Sequence, residues 1–305
     1  MARVGAFPNR TGTRPETGLS GTRHADVREF HYRIRWRTRH ALPGQHRSSR
    51  PGAGHEYATS APLMDYPDPR RLDIRRSARD PFDQLFVRMY NQLSLVPVYA
   101  VVDATASMGF EGAASKPSLL AEFLTVLAFS AGRTGDPLGV IGCADKVLPE
   151  FVLPATPSGE AARAIIGRLR DLRLAAGGAQ GLIDAAPLVG HRRALVFILS
   201  DFHFPLAVTR RMLRAFTRHD VVPIVLWDSA EFRAPRAWGL ARMQDSETGL
   251  ERYVLLRPAV RDRLLKAFAA RREALERVFL EFGYTPYFLI DKLDCDDLNR
   301  FFIER

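Results

Sequence analysis

The sequence predicts an α/β fold: a mainly parallel sheet flanked by helices, preceded by an N-terminal β-containing extension. Three observations predict it. From residue 96 onward, apolar runs of strand length alternate with segments of helix length, as in a sheet whose parallel strands are joined by crossover helices. Two runs, residues 96–102 and 194–200, are almost continuously apolar, as strands covered on both faces must be. Each run leads into an acid, Asp103 and Asp201.

Residues 1–25 are rich in Gly, Thr, Arg and Pro without periodicity and read as a disordered tail. The extension spans 26–95. In it Phe30, Tyr32, Ile34 and Trp36 alternate with His31, Arg33, Arg35 and Arg37, which predicts a half-buried strand with a basic outer face. A polar, Gly-rich stretch over 43–54 reads as loop, and a charged segment carrying Asp73, Arg75 and Arg79 follows. The α/β domain spans 96–305, with strands at 97–103, 138–143, 194–200, 221–227 and 285–290. Helices are expected at about 116–133, 159–172, 206–218, 258–281 and 292–303. Gly135-Asp136-Pro137 makes a sharp turn, and 147–153 an antiparallel edge strand. An insertion near 229–256 reads as a hairpin whose turn is Gln244-Asp245-Ser-Glu-Thr-Gly249.

At 305 residues and 46% hydrophobic, the chain can bury a substantial core. No stretch approaches the roughly 20 apolar residues of a membrane span, and the Arg-bearing N-terminus lacks the apolar run of a secretory signal. A cytoplasmic location without membrane insertion is expected. Cys143 and Cys295 are the only cysteines, too few for a disulfide framework or a cysteine zinc site. Of the net charge of +10, the excess lies mainly in residues 1–90, with 17 Arg against 9 acids. Such asymmetry can mark nucleic-acid binding. With only four Lys in the chain, the Arg excess reads instead as a compositional habit, and no nucleic-acid partner is expected.

Asp103-Ala-Thr105-Ala-Ser107 places a carboxylate and two hydroxyls at i, i+2 and i+4 where a strand turns toward a helix. Hard cations such as Mg²⁺ take oxygen ligands, and the carboxyl ends of parallel strands converge on one edge, so Asp103 and Asp201 could share such an ion. An acid at that edge is expected in a surface cleft, where its replacement leaves stability unchanged. The alternative is that both acids cap helices, Asp201 the one beginning near Pro205.

The order of motifs resembles the von Willebrand factor A-like domain-of-unknown-function 58 proteins, often encoded beside MoxR-type AAA+ ATPases. The resemblance rests on Gly52-Ala-Gly54-His-Glu56-Tyr57, Asp73-Ile-Arg75-Arg-Ser77-Ala-Arg79, Val87-Arg88, the Asp103 motif with Met108, Gly135-Asp136-Pro-Leu-Gly139, Leu199-Ser-Asp201-Phe202, and residues 245–249. Tyr32-Arg-Ile-Arg-Trp36, Asp68-Pro-Arg-Arg-Leu-Asp73 and Arg79-Asp-Pro-Phe82 are further similar to MxaS-like members of methanol-oxidation gene clusters. The resemblance implies a metal-ion-dependent adhesion site. Asp103, Thr105 and Ser107 match its Asp-x-Ser-x-Ser motif, and Asp201 matches its later Asp. That site also draws a Thr from an intervening loop, where this chain has Ala179 or Gln180. The implied partners are a MoxR-type AAA+ ATPase and a client protein, with methanol dehydrogenase the candidate, whose maturation, metal insertion or assembly the chain assists. Asp73, Arg75 and Arg79 either face the ATPase or pin the N-terminal segment to the sheet.

Enzyme readings fare worse. Asp103 ends a buried strand as an aspartyl nucleophile does, but Thr105 stands where a second Asp would act as acid and base. Ser107 lacks the Gly at 105 that a G-x-S-x-G elbow requires, and no G-K-[ST] phosphate loop is present. His203, two residues beyond Asp201, could orient a base or simply lie in a surface loop. A non-enzymatic adaptor with a Mg²⁺-type site is therefore expected. A metal-free scaffold is the alternative, and a phosphatase-like enzyme using Asp103 a distant third.

Overall fold

The computed structural model describes residues 29–38, 43–52, 56–110, 112–170, 178–232, 239–244, 251–256 and 258–305. The expected tail, 1–25, lies outside them, as does the hairpin turn at 245–249. A small unit comes first: strands β1 (Pro43–Gly52) and β2 (Glu56–Pro62), the one-turn helix α1 (Ile74–Ser77) and strand β3 (Phe86–Ser94). β3 is central and pairs antiparallel with both β1 and β2. β1 corrects the loop expected over 43–54. Its residues show no apolar alternation, and what makes it a strand is the ladder to β3, from Pro43 opposite Ser94 to Gly52 opposite Tyr90.

Residues 29–38 are a second correction. Burial alternates as predicted, with Phe30 and Tyr32 buried between exposed His31 and Arg33, yet the segment forms no ladder beyond a single bridge from Thr38 to Ser48. Side chains of distant elements hold it instead. The Phe30 amide donates to Ser130 Oγ at 3.2 Å and the His31 amide to Asn299 Oδ1 at 2.7 Å, while the Phe30 ring stacks on Phe302. Alternation reports which faces are buried; it does not say what pairs the backbone.

The large sheet follows. Its elements are β4 (Val98–Asp103), α2 (Lys116–Thr134), β5 (Leu138–Cys143), β6 (Val147–Thr156), α3 (Gly159–Arg170), the short α4 (Gln180–Asp184) and α5 (Ala186–Val189), and β7 (Leu195–Ser200). Then come α6 (Leu206–Ala215), β8 (Asp220–Trp227), α7 (Ser229–Phe232), the antiparallel pair β9 (Gly239–Gln244) and β10 (Glu251–Leu256), α8 (Pro258–Glu281), β11 (Tyr287–Ile290) and α9 (Cys295–Glu304). The order is β11-β8-β7-β4-β5-β6, with every neighbouring pair parallel except β5 and β6. This is the α/β architecture predicted, including the antiparallel edge strand.

Both faces of the sheet are covered. Val98, Ala100 and Val102 pack with α2, α3 and α9, joined by Phe30 and Tyr32, while Tyr99 and Val101 pack with α4, α5, α6 and α8. α2 ends at Gly135, whose φ of 76° is open to glycine at little steric cost, and its amide closes the last turn onto Ala131 and Gly132. No helix among the described residues is long and apolar enough to cross a membrane. From β4 the chain passes to β5 on one side and returns through β7 on the other, so the strand order reverses at β4 and β7. In such a sheet the carboxyl ends of the strands at the switch point are where side chains from several strands meet.

Candidate functional site

Parallel pairing of Val102 with Leu199 sets Asp103 beside Ser200 at the switch point. Asp103 Oδ2 accepts from Ser200 Oγ at 2.5 Å, and Oδ1 accepts from the Thr105 amide at 2.9 Å and the Thr105 hydroxyl at 2.7 Å. Thr105 Oγ1 and Ser107 Oγ are 3.1 Å apart. The structure thus gathers Asp103, Thr105 and Ser107 into one hydrogen-bonded turn, with Asp201 next to Ser200. Neither acid caps a helix as the alternative reading required. The 3-10 turn Ala106–Gly109 begins at Thr105 without a side-chain cap, and α6 begins at Pro205.

The surface cleft expected for Asp103 is corrected: Asp103 and Asp201 are both 0% exposed. The chain between β4 and α2 folds over them. It is tied down by Asp228, whose carboxylate accepts the amides of Ala113 at 2.9 Å and Ala114 at 2.8 Å. Gly112 approaches so closely that a Cβ there would lie 2.7 Å from Asp228 Oδ1 and 2.6 Å from the Ala230 Cβ. On the other side Phe202 adopts φ 52°, an uncommon conformation for a bulky residue. Around this turn Trp227 Nε1 donates to the Asp201 carbonyl at 2.8 Å, and the His203 amide to Asp201 Oδ1 at 3.2 Å. His203 stacks on Trp227, with Nε2 3.6 Å from Glu231 Oε1.

Lys116 and Glu231 belong to this site and escaped the sequence reading. Lys116 is 0% exposed, and its Nζ lies 3.0 Å from Asp201 Oδ2, 2.6 Å from Glu231 Oε1 and 3.4 Å from the Ser107 carbonyl oxygen. An ammonium has three donors, and here each has an acceptor. A signal was present. Lys116 opens a helix at a Ser115 N-cap followed by Pro117, where the helix dipole disfavours a cation, so the residue needs acidic company from elsewhere in the chain.

Burial, and then the charge of Asp201, push the Asp103 carboxyl up to about 6, against the bonds from Ser200 and Thr105. Burial also works to raise Asp201, but the Lys116 ammonium and then His203 outweigh it and hold that acid below the usual carboxylate range. Glu231 is likewise held low despite burial, by His203 and Lys116. Lys116 therefore balances two ionised acids.

These residues do not fit a divalent cation as they are arranged. Among the described residues no cluster of three or more His, Cys, Asp or Glu is set to hold a metal, so an ion would rely on the two acids and the two hydroxyls. Asp103 spends both oxygens on protein donors, Thr105 donates to Asp103, and an ammonium holds Asp201 Oδ2. Of the described residues of the intervening loop, Ala179 is buried in the core and the Gln180 amide donates to Asp184 Oδ1 at 2.9 Å. Residues 171–177 lie outside the described residues.

The charged segment of the small unit divides in two. Asp73 is structural: it caps α1 through the Arg76 amide, accepts from Ser60 Oγ at 3.1 Å, and lies 3.5 Å from Arg88 Nε. Arg75 and Arg79 are exposed and line an open cleft of about 510 Å³ with Arg76, Arg88 and Tyr57. The same turns expose Ile74 (71%), Phe82 (79%) and Met64 (92%).

A six-stranded, mainly parallel sheet with one antiparallel edge, helices on both faces and an Asp-x-Thr-x-Ser turn at its switch point defines an α/β protein. Residues 67–274 match the family described as protein of unknown function DUF58, and the chain belongs to that family. It is 26% identical over 258 residues to uncharacterized protein Rv1480 of Mycobacterium tuberculosis (strain H37Rv), covering 83% of this chain and 80% of that one. Over 95 residues it is 36% identical to an uncharacterized protein in the moxR 3' region of Paracoccus denitrificans, covering 31% of this chain and 90% of that one. Its likeness to the crystal structure of the conserved hypothetical protein BatB from Bacteroides thetaiotaomicron has a TM-score of 0.43 at 12% identity, covering 68% of this chain and 97% of that one.

Proposed function

We propose that this chain is a non-enzymatic cytoplasmic adaptor for a MoxR-type AAA+ ATPase, acting in maturation, metal insertion or assembly of a client protein, with methanol dehydrogenase as a candidate client. The observation that carries the reading is the Arg75 and Arg79 cleft. Among the described residues Arg75 and Arg79 form no ion pair, although Asp73 and Asp80 share their cleft, and the same small unit exposes Ile74 and Phe82, a combination that fits an acidic, apolar-bearing segment of the ATPase. The relative in the moxR 3' region supports the choice of partner. The burial of Asp103 argues against the phosphatase-like alternative, because a nucleophile with no exposed surface and both oxygens hydrogen-bonded cannot reach a substrate.

Biolayer interferometry with the MoxR-type ATPase of the same genome tests this. Saturable binding is expected, weakened at least tenfold by Arg75→Glu/Arg79→Glu with thermal stability unchanged. Absence of binding by the wild-type chain overturns the adaptor reading, and undiminished binding by the variant overturns the docking surface.

A second reading, a Mg²⁺ held by Asp103, Thr105, Ser107 and Asp201, draws on the convergence of their oxygens at one edge. It requires Lys116 to leave Asp201.

A further inference from the structure

We infer that the Lys116 ammonium is the resident cation of the switch-point site, taking the place of a divalent metal and making the site metal-independent. The inference does not depend on the identity of any partner.

Position is the first support. The ammonium sits between the Ser107 carbonyl, at 3.4 Å, and Asp201 Oδ2, at 3.0 Å, so it occupies the side of the Asp103 turn that faces the second acid. A divalent ion bonded to Asp201 at metal–oxygen distances of about 2.0–2.6 Å would lie within a few ångströms of Nζ, in a medium that screens their repulsion poorly. Both cations cannot be held there together.

Satisfaction of its donors is the second. A fully buried lysine is rare unless paired, and here Asp201, Glu231 and Ser107 each supply an acceptor while the Phe110 ring lies 5.7 Å from Nζ. The third is cost. Lys116 stands in the first turn of a 19-residue helix, where the dipole opposes it, and the two acids offset a placement the helix itself disfavours. Loss of the ammonium would leave Asp201 and Glu231 with only His203 to offset them, beside two hydroxyls, which is an oxygen-rich pocket for a hard cation.

The test uses the full chain, stripped with a chelator, and Mn²⁺ as the probe, read by the electron paramagnetic resonance signal of the free ion and by melting temperature. The wild-type chain should leave the Mn²⁺ signal and its own melting temperature unchanged up to about 1 mM ion. Lys116→Met should melt lower in chelator, take up about one Mn²⁺ per chain, and regain several degrees on doing so. Adding Asp201→Asn to that variant should abolish uptake. Saturable one-to-one uptake by the wild-type chain overturns the inference, as does a folded Lys116→Met chain that takes up none. Lys116→Gln replaces Lys116→Met if the latter does not fold, and should neither fold, the wild-type result decides alone.

Discussion

Ser200 Oγ donates to Asp103 Oδ2 at 2.5 Å across the seam between β4 and β7, tying together the two strand ends on which the site is built. This bond and those from Thr105 serve a carboxyl that burial and Asp201 nonetheless push up to about 6. An acid raised on folding is favoured in its protonated form, so its stabilising contribution is complete below the unfolded value near 4 and is lost as pH rises through about 6. Asp103→Asn cannot ionise. Urea unfolding between pH 4 and 7 should show wild-type stability falling relative to Asp103→Asn by up to about 3 kcal/mol, mostly between pH 4 and 6. A constant difference across that range would sink the assignment. Asp103→Ala, which strands two hydroxyls, should cost about 2–4 kcal/mol at pH 5, unlike the neutral effect a surface acid would give.

His219 supplies a limb of opposite sign. It is 4% exposed beside Phe216, and burial, followed by the charges of Arg218 and Arg193, pulls its imidazole down to about 4. The unfolded chain takes up that proton near 6.5 while the folded chain resists until about 4. Stability is therefore present above 6.5 and lost as pH falls toward 4. His219→Gln should flatten this limb by up to about 3 kcal/mol in the same urea series, and a wild-type slope that survives the substitution would place its origin elsewhere.

Asp136 anchors the N-terminal segment. Its Oδ2 accepts from Tyr32 Oη at 2.6 Å and Thr134 Oγ1 at 2.8 Å and lies 2.6 Å from His46 Nε2, while Oδ1 accepts the Val96 amide at 2.8 Å. Tyr32→Phe removes one charge-assisted bond and should cost about 2 kcal/mol. Hydrogen exchange should quicken at residues 29–38 while β4 and β7 stay protected. Equal acceleration in those strands would show that the hydroxyl supports the whole core and not one segment.

What the sequence by itself determined is whatever repeats over short distances. The apolar runs ending at Asp103 and Asp201, the length of α2 and its stop at Gly135, and the antiparallel edge after Gly135-Asp136-Pro137 all follow from side-chain period and turn chemistry, and the parallel sheet follows from their alternation. Three of the site's oxygen-bearing residues lie within five positions, so Asp103, Thr105 and Ser107 were legible, and Asp201 was legible as the end of a second buried run. Tertiary structure alone decided that this turn is sealed and that its cation is a lysine. Lys116 meets Asp201 across 85 positions and Glu231 across more, through a strand order that reverses at β4. It also decided that residues 29–38 pack without a ladder and that residues 43–52 form one, because a backbone hydrogen bond is a property of the neighbour, and local sequence says which faces want burial but not which chain will arrive to cover them.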